Sequence, residues 1–384
     1  MHLTAKHLVG ILALPALLAI SACGIDDGGT ADPTTTSPAP AAPSGGKAPS
    51  PGVSATGKTP PSSGTIVPGA PVTAEERTWT WVDIAGATCA DGSPTGVGVN
   101  LTAASDDVLV FLEGGGACWD ASSCWGPAPT AFNIVTGYGK TQFDTDVQRS
   151  AIYLLDRSNS DNPFRDKNIV YVPYCTGDSF SGDNVETLSY LGVDHVTHFA
   201  GHRNIELYLS RLLGTFPKAK RLWLAGDSAG GFGASFNFGT VQEAFAKARV
   251  DVIDDSGQPI NPDPAKWAQW RNVWNMQLPS DCSGCAAGPA AFVDYYRAKF
   301  PKSRFGLISF DYDTVIAPFM NLTLAQFHSE LTSMLDHFDT TFTNGHYFVL
   351  AGASHVGLAT PTAALKSWVT DLVTDAPGWK SVRP

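Results

Sequence analysis

Six short apolar runs, at residues 108–112, 169–172, 221–225, 250–253, 305–310 and 347–350, are spaced along the chain with helical stretches between them. The runs are continuous rather than alternating and rich in Val, Ile, Leu and aromatics, which is the pattern of strands buried on both faces. The intervening stretches at 204–213, 230–238, 290–299, 323–338 and 362–373 have helical spacing. In 323–338, for example, Leu324, Phe327, Leu331, Leu335 and Phe338 recur every three or four positions and form one apolar stripe. Strands alternating with helices over this length predict a single doubly wound α/β domain with a mainly parallel sheet. In such sheets ligands sit beyond the carboxyl ends of the strands, so the residues that follow each strand are where chemistry is expected.

The pattern does not extend to the amino terminus. All 20 Phe, 10 Tyr and 10 Trp lie at or after Trp79, so the leading segment has no aromatic core to offer. Residues 1–22, with Lys6 ahead of an apolar run at 8–20, read as a signal peptide; the run is too short, and too interrupted by Pro15, for a membrane span. Ile20-Ser21-Ala22-Cys23 resembles the lipobox of bacterial lipoproteins, which implies diacylation of Cys23 and a lipid anchor on the exported chain. Residues 23–72, dominated by Pro, Gly, Ser, Thr and Ala, bury too little apolar surface to offset the entropy of ordering and are expected to form a disordered linker. Residues 73–384 are then the catalytic α/β domain.

With Cys23 set aside, the seven cysteines leave six, an even number that in an exported protein suggests three disulfides. Six cysteines allow fifteen pairings. Cys118 with Cys124 and Cys282 with Cys285 are the local choices, leaving Cys89 with Cys175. A zinc site at Cys282-Ser283-Gly284-Cys285 is disfavoured because no second ligand pair follows it, and no metal or cofactor is expected. The net charge of -11 without a long Lys/Arg run argues against a nucleic-acid surface.

Four strand ends carry unusual residues. The run at 221–225 leads into Gly226-Asp227-Ser228-Ala229-Gly230-Gly231, a G-x-S-x-G between strand and helix, which makes Ser228 the expected nucleophile. No lysine follows the glycines as a phosphate-binding loop would need. After 108–112 comes Glu113-Gly114-Gly115-Gly116-Ala117, a glycine loop able to present backbone N–H groups. Gly115, Gly116 and Ala229 are the expected oxyanion donors; removing one such donor costs roughly 3 kcal/mol of barrier. His355, just past the last strand, is the expected base, in the chain order Ser, acid, His. His328 and His337 belong to the amphipathic helix and His346 precedes a strand, while His195, His198 and His202 are expected to serve structure rather than a metal. The acid is Asp311 or Asp313 after 305–310, with Asp254 and Asp255 as the other possibility.

Together these residues resemble the pectin acetylesterase and Notum family of carboxylesterases. The resemblance is carried by residues 112–118, 172–178, 199–204, 225–231, 254–257 and Ser354-His355, and it spans nearly all of the chain from Thr78 onward. It implies an α/β-hydrolase-like fold, Ser228 as nucleophile, His355 as base, an oxyanion hole from Gly115, Gly116 and Ala229, and the pairs Cys118–Cys124 and Cys89–Cys175. The family shows Asp-x-x-Gln after this strand; Asp313-Thr314-Val315-Ile316 matches except that Ile316 replaces Gln, which favours Asp313 over Asp311. The family's animal members carry Gly-Gly-Trp-Tyr where Gly-Gly-Gly-Ala stands here, so the acyl pocket is expected to differ. The function implied is an exported, monomeric, lipid-anchored serine carboxylesterase that hydrolyses short acyl esters, such as acetate on a polysaccharide. A deacylase of longer chains and a non-catalytic carbohydrate-binding lipoprotein are the competing readings.

Overall fold

The computed structural model describes residues 65–384, apart from 147, 148 and 150. The signal peptide, Cys23 and most of the linker lie outside the described residues. Eight of the described strands form one sheet: β1 (Thr80–Thr88), β2 (Pro94–Asn100), β3 (Val108–Leu112), β4 (Asn168–Val172), β7 (Arg221–Asp227), β8 (Arg249–Asp255), β9 (Phe305–Phe310) and β10 (Gly345–Leu350), in the order β1-β2-β4-β3-β7-β8-β9-β10. From β4 to β10 the neighbours are parallel, and β2 and β1 extend the β4 edge antiparallel. All six apolar runs are strands of this sheet, as a doubly wound α/β fold requires. The chain moves outward from β3 to β4 and returns to place β7 on the other side of β3. That reversal is the topological switch point, and the carboxyl ends of β3 and β7 open a crevice there.

β5 (Asn184–Tyr190) and β6 (Val193–Phe199) form a separate antiparallel hairpin. Helices Gly201–Thr215 and Ala229–Ala244 pack on one face of the large sheet, whereas Trp223, Phe164 and helix Ala363–Val373 build the core on the other. Among the described residues no helix is long and apolar enough to cross a membrane.

The end of the expected linker differs from the reading that carried it to Val72. The Gly69 N–H donates to the Ser210 carbonyl at 2.7 Å, the Val72 N–H to Thr215 Oγ1 at 2.8 Å, and Ser210 Oγ to the Val67 carbonyl at 2.8 Å. Val72 itself is buried. Backbone groups docked on helix Gly201–Thr215 order a segment whose composition alone predicts disorder.

Among the described residues three disulfides are present: Cys89–Cys175, Cys118–Cys124 and Cys282–Cys285, with sequence separations of 86, 6 and 3. The first ties the start of β2's connection to the loop after β4 and constrains the unfolded chain most. By the loop-entropy argument, replacing Cys89 and Cys175 by alanine should cost roughly 4 kcal/mol, and replacing Cys282 and Cys285 far less. Thermal melts of the two double variants check this, and equal losses would contradict it.

Asp254, at the end of β8, is pinned by Ser235 Oγ at 2.8 Å and by the Gly257 N–H at 2.8 Å, so that it locks helix Ala229–Ala244 to the sheet. Loss of solvation pushes its carboxyl from 3.8 up to about 8. Within that window the folded chain holds a proton that the unfolded chain releases, so the group's contribution to stability falls as pH rises. Asp254→Asn, which imitates the protonated acid, should therefore narrow the gap in Tm between pH 5 and pH 8. An unchanged gap would place the proton elsewhere.

Candidate active site

Ser228 sits at the switch point, between the last residue of β7 and the first of helix Ala229–Ala244, with φ 53° and ψ -119°. A non-glycine residue held in this region is strained and needs its surroundings to fix it. The Ser228 N–H donates to the Asp255 carbonyl at 2.7 Å, and the Ser228 carbonyl accepts from the Phe232 N–H at 3.1 Å. The flanking glycines allow the approach. A Cβ on Gly226 would lie 2.2 Å from the Gly230 carbonyl oxygen, and one on Gly230 would lie 2.0 Å from the Leu112 carbonyl oxygen. Strand, helix and the end of β3 can meet here only without those side chains.

The glycine loop after β3 is fastened to the same turn. The Gly114 N–H donates to Asp227 Oδ1 at 2.8 Å. Loss of solvation, with the neighbouring Asp255 charge adding, pushes the Asp227 carboxyl up to about 7. Glu113 is buried and accepts from the Tyr174 N–H at 2.8 Å; desolvation holds its carboxyl well above the usual range. Gly115 and Gly116 both adopt positive φ, 152° and 76°, and the Phe132 N–H donates to the Gly115 carbonyl at 2.8 Å. Gly116 and Ala229 line the cavity at Ser228, while Gly115 is not among its lining residues.

His355 lies in the loop after β10. Three consecutive N–H groups hold that loop to the end of β8: Val356 to Ser256 Oγ at 3.1 Å, Gly357 to Asp255 Oδ1 at 3.0 Å and Leu358 to Asp255 Oδ2 at 2.7 Å. The Asp255 carboxyl is pushed up to about 6, first by burial, against the pull of these bonds and of the His355 charge. His355 Nδ1 contacts Asp313 Oδ2 at 2.8 Å. Asp313 is fully buried and also accepts from Gln258 Nε2 at 3.2 Å and from the N–H groups of Val315 and Ile316 at 2.9 and 3.0 Å. Such a donor set keeps a buried carboxylate satisfied.

Of the two aspartates considered after β9, Asp313 is therefore the one brought to His355. Asp311 Oδ1 instead accepts from the Gly352 N–H at 2.7 Å and braces the turn after β10. Asp254 and Asp255 are engaged by Ser235, Gly257 and the loop at 356–358. The histidines at 195, 198 and 202 separate. His195 stacks on Trp125 with centroids 4.4 Å apart, the His198 backbone N–H pairs with the Ala90 carbonyl, and His202 Nδ1 pairs with Asn237 Oδ1 at 2.8 Å. Among the described residues no group of three or more His, Cys, Asp or Glu could hold a metal ion.

Gln258, Trp270 and Trp274 join the site with no motif to announce them. Gln258 bridges Asp313 and Ser309 Oγ, the latter at 2.9 Å. The tryptophans stack at 5.2 Å and, with Phe232, Phe236, Ile316 and Phe319, wall a cavity of about 20 Å³ above Ser228 and Ala229. A hydroxyl at a helix amino terminus thus opens on a small apolar cavity, and Asp255 ties that turn to the loop whose imidazole pairs with a buried carboxylate.

A pectinacetylesterase family model matches residues 73–290, more than half of the chain. The human palmitoleoyl-protein carboxylesterase NOTUM is 31% identical over 172 residues, which cover 44% of this chain and 33% of that protein. Its Drosophila melanogaster counterpart is 27% identical over 215 residues, 51% of this chain and 31% of that protein. The matches thus span about a third of those relatives' own length. The solved structure of the Wnt deacylase Notum from Drosophila shares the fold, with a TM-score of 0.55 at 20% identity over 76% of this chain and 88% of that one. The chain belongs to the pectinacetylesterase family.

Proposed function

We propose that the chain is an exported carboxylic ester hydrolase that works through an acyl-enzyme on Ser228. The observation that carries this reading is the contact between His355 Nδ1 and the buried Asp313, which leaves Nε2 as the ring nitrogen able to take a proton, in a loop fastened to the same Asp255 whose carbonyl holds the Ser228 turn. Ser228 Oγ attacks the ester carbonyl and its proton passes to His355 Nε2. Asp313 holds the ring by its Nδ1–H and stabilises the imidazolium that forms. The oxyanion faces the N–H groups of Gly115, Gly116 and Ala229, the last at the positive end of helix Ala229–Ala244. The imidazolium then gives its proton to the leaving alcohol. Water, deprotonated by the same imidazole, attacks the acyl-enzyme carbonyl and releases the acid and free Ser228.

The acyl group favoured is short, such as acetyl. A cavity of about 20 Å³ has room for little more than one water-sized group, whereas pockets for drug-sized ligands run to several hundred Å³. Its apolar walls suit a methyl group. This separates the proposal from a deacylase of long chains, the activity printed in the names of the Notum relatives. An acetylated polysaccharide is the proposed natural ester. Three disulfides fit an oxidising compartment outside the cytosol, and lipidation at Cys23, just after the proposed signal peptide, would tether the monomeric enzyme to the cell surface or a periplasm-facing membrane.

Ser228→Ala should abolish release of acetate from an activated acetate ester, and undiminished turnover would sink the mechanism. Asp313→Asn should lower kcat roughly ten-thousand-fold by fixing the wrong tautomer of His355, while Asp311→Asn should leave kcat within a few-fold of wild type. The reverse ranking would move the acid to Asp311. Acid release from acetylated polysaccharides beside a graded series of acyl esters should show kcat/KM highest for acetate; a maximum at long chains would overturn the size argument.

A further inference from the structure

Beyond the small cavity at Ser228 lies a second one of about 260 Å³, lined in part by Gly239, Thr240, Leu278, Pro279, Tyr295 and Tyr296. The two are consecutive along one face of helix Ala229–Ala244. Ser228, Phe232 and Phe236 follow at four-residue steps into the first, and Phe236, Thr240 and Glu243 continue into the second. Phe236 is the one residue common to both linings. Its ring is buried and held at 6.0 Å from Phe232, 5.2 Å from Phe292 and 6.2 Å from Trp267. Because Phe236 lines the cavity together with Ser228, an acyl chain that outgrows this cavity meets its ring.

We propose that Phe236 is the specificity-determining residue for acyl length: its ring closes the cavity at Ser228 against the larger cavity behind it, which is a latent site for the distal part of a medium-length acyl chain. The proposal rests on the reading of Ser228 as the nucleophile and deepens it. Leu278, Pro279 and the ring faces of Tyr295 and Tyr296 give the second cavity apolar surface that can take methylenes. Glu243, Asp281 and Lys299 supply the charged part of its lining, where a chain gains nothing. Removing the ring joins the two spaces and changes which esters fit without touching the reacting atoms.

The test uses the full exported chain and p-nitrophenyl esters of acetate and decanoate. Phe236→Ala should raise the ratio of kcat/KM for decanoate over acetate by at least about tenfold, a magnitude typical of added apolar contact in a pocket. Phe236→Leu, which preserves more of the packing, should raise it less and carries the test if the alanine variant does not fold. Adding Thr240→Trp to Phe236→Ala should refill the second cavity and return the ratio toward that of wild type while acetate turnover stays near that of Phe236→Ala. An unchanged ratio in a folded Phe236 variant, or a gain that Thr240→Trp does not reverse, would overturn the proposal. Hydrolysis that survives Ser228→Ala would instead overturn the reading of the site beneath it.

Discussion

The left-handed turn at Ser228 is the constraint on which the rest of the crevice depends. A serine at φ 53° between a strand and a helix is held there by the Asp255 carbonyl, and it is possible only because Gly226 and Gly230 let β7, the helix and the Leu112 carbonyl close to within contact. The turn lies at the switch point of the sheet, where the loops after β3 and β7 diverge. Its consequence is that the serine hydroxyl, the first N–H groups of a helix and the glycine loop at 113–117 all face one small space.

Buried and half-buried carboxylates fasten the other loops to that turn. Asp227 holds the Gly114 N–H, Glu113 holds Tyr174, Asp254 holds Ser235 and Gly257, and Asp255 holds the loop that carries His355. Each is an acid taken out of water, with its carboxyl pushed upward by that loss, and each is tolerable because backbone or hydroxyl donors meet it. Asp313 differs in its partners rather than in burial. It has backbone donors on one oxygen, and on the other the Gln258 amide and His355. The proposed triad is thus one member of a wider set of acids that position the strand ends.

How much of this was legible depends on the range of the signal. β3, β4, β7, β8, β9 and β10 were readable because buried parallel strands are continuous apolar runs, and the elbow because its glycines are adjacent in sequence to the serine they serve. β1 and β2 escaped because glycines at 86, 96 and 98 dilute the apolar signal of this antiparallel pair. The β5–β6 hairpin escaped because Val185, Val193 and Val196 face outward, so no alternation marks a core face. Residues 67–72 look disordered by composition and are ordered by hydrogen bonds to residues about 140 positions away. Gln258 is the clearest omission: its amide reaches Asp313 across 55 residues of sequence, a contact that only the folded sheet creates. Acyl length was likewise beyond the sequence, because the cavity is closed by tryptophans and phenylalanines from separate helices.

The proposal that unites these features is a covalent step at one atom, Ser228 Oγ, which lines a small cavity. The most direct measurement is to quench turnover of an activated acetate ester with acid on the millisecond scale and map the acylated peptide by mass spectrometry. The account predicts one acetyl group on Ser228, appearing before steady state and decaying as substrate is exhausted. Acetate release with no acyl-enzyme on that peptide, or with the acyl group on another residue, would contradict it.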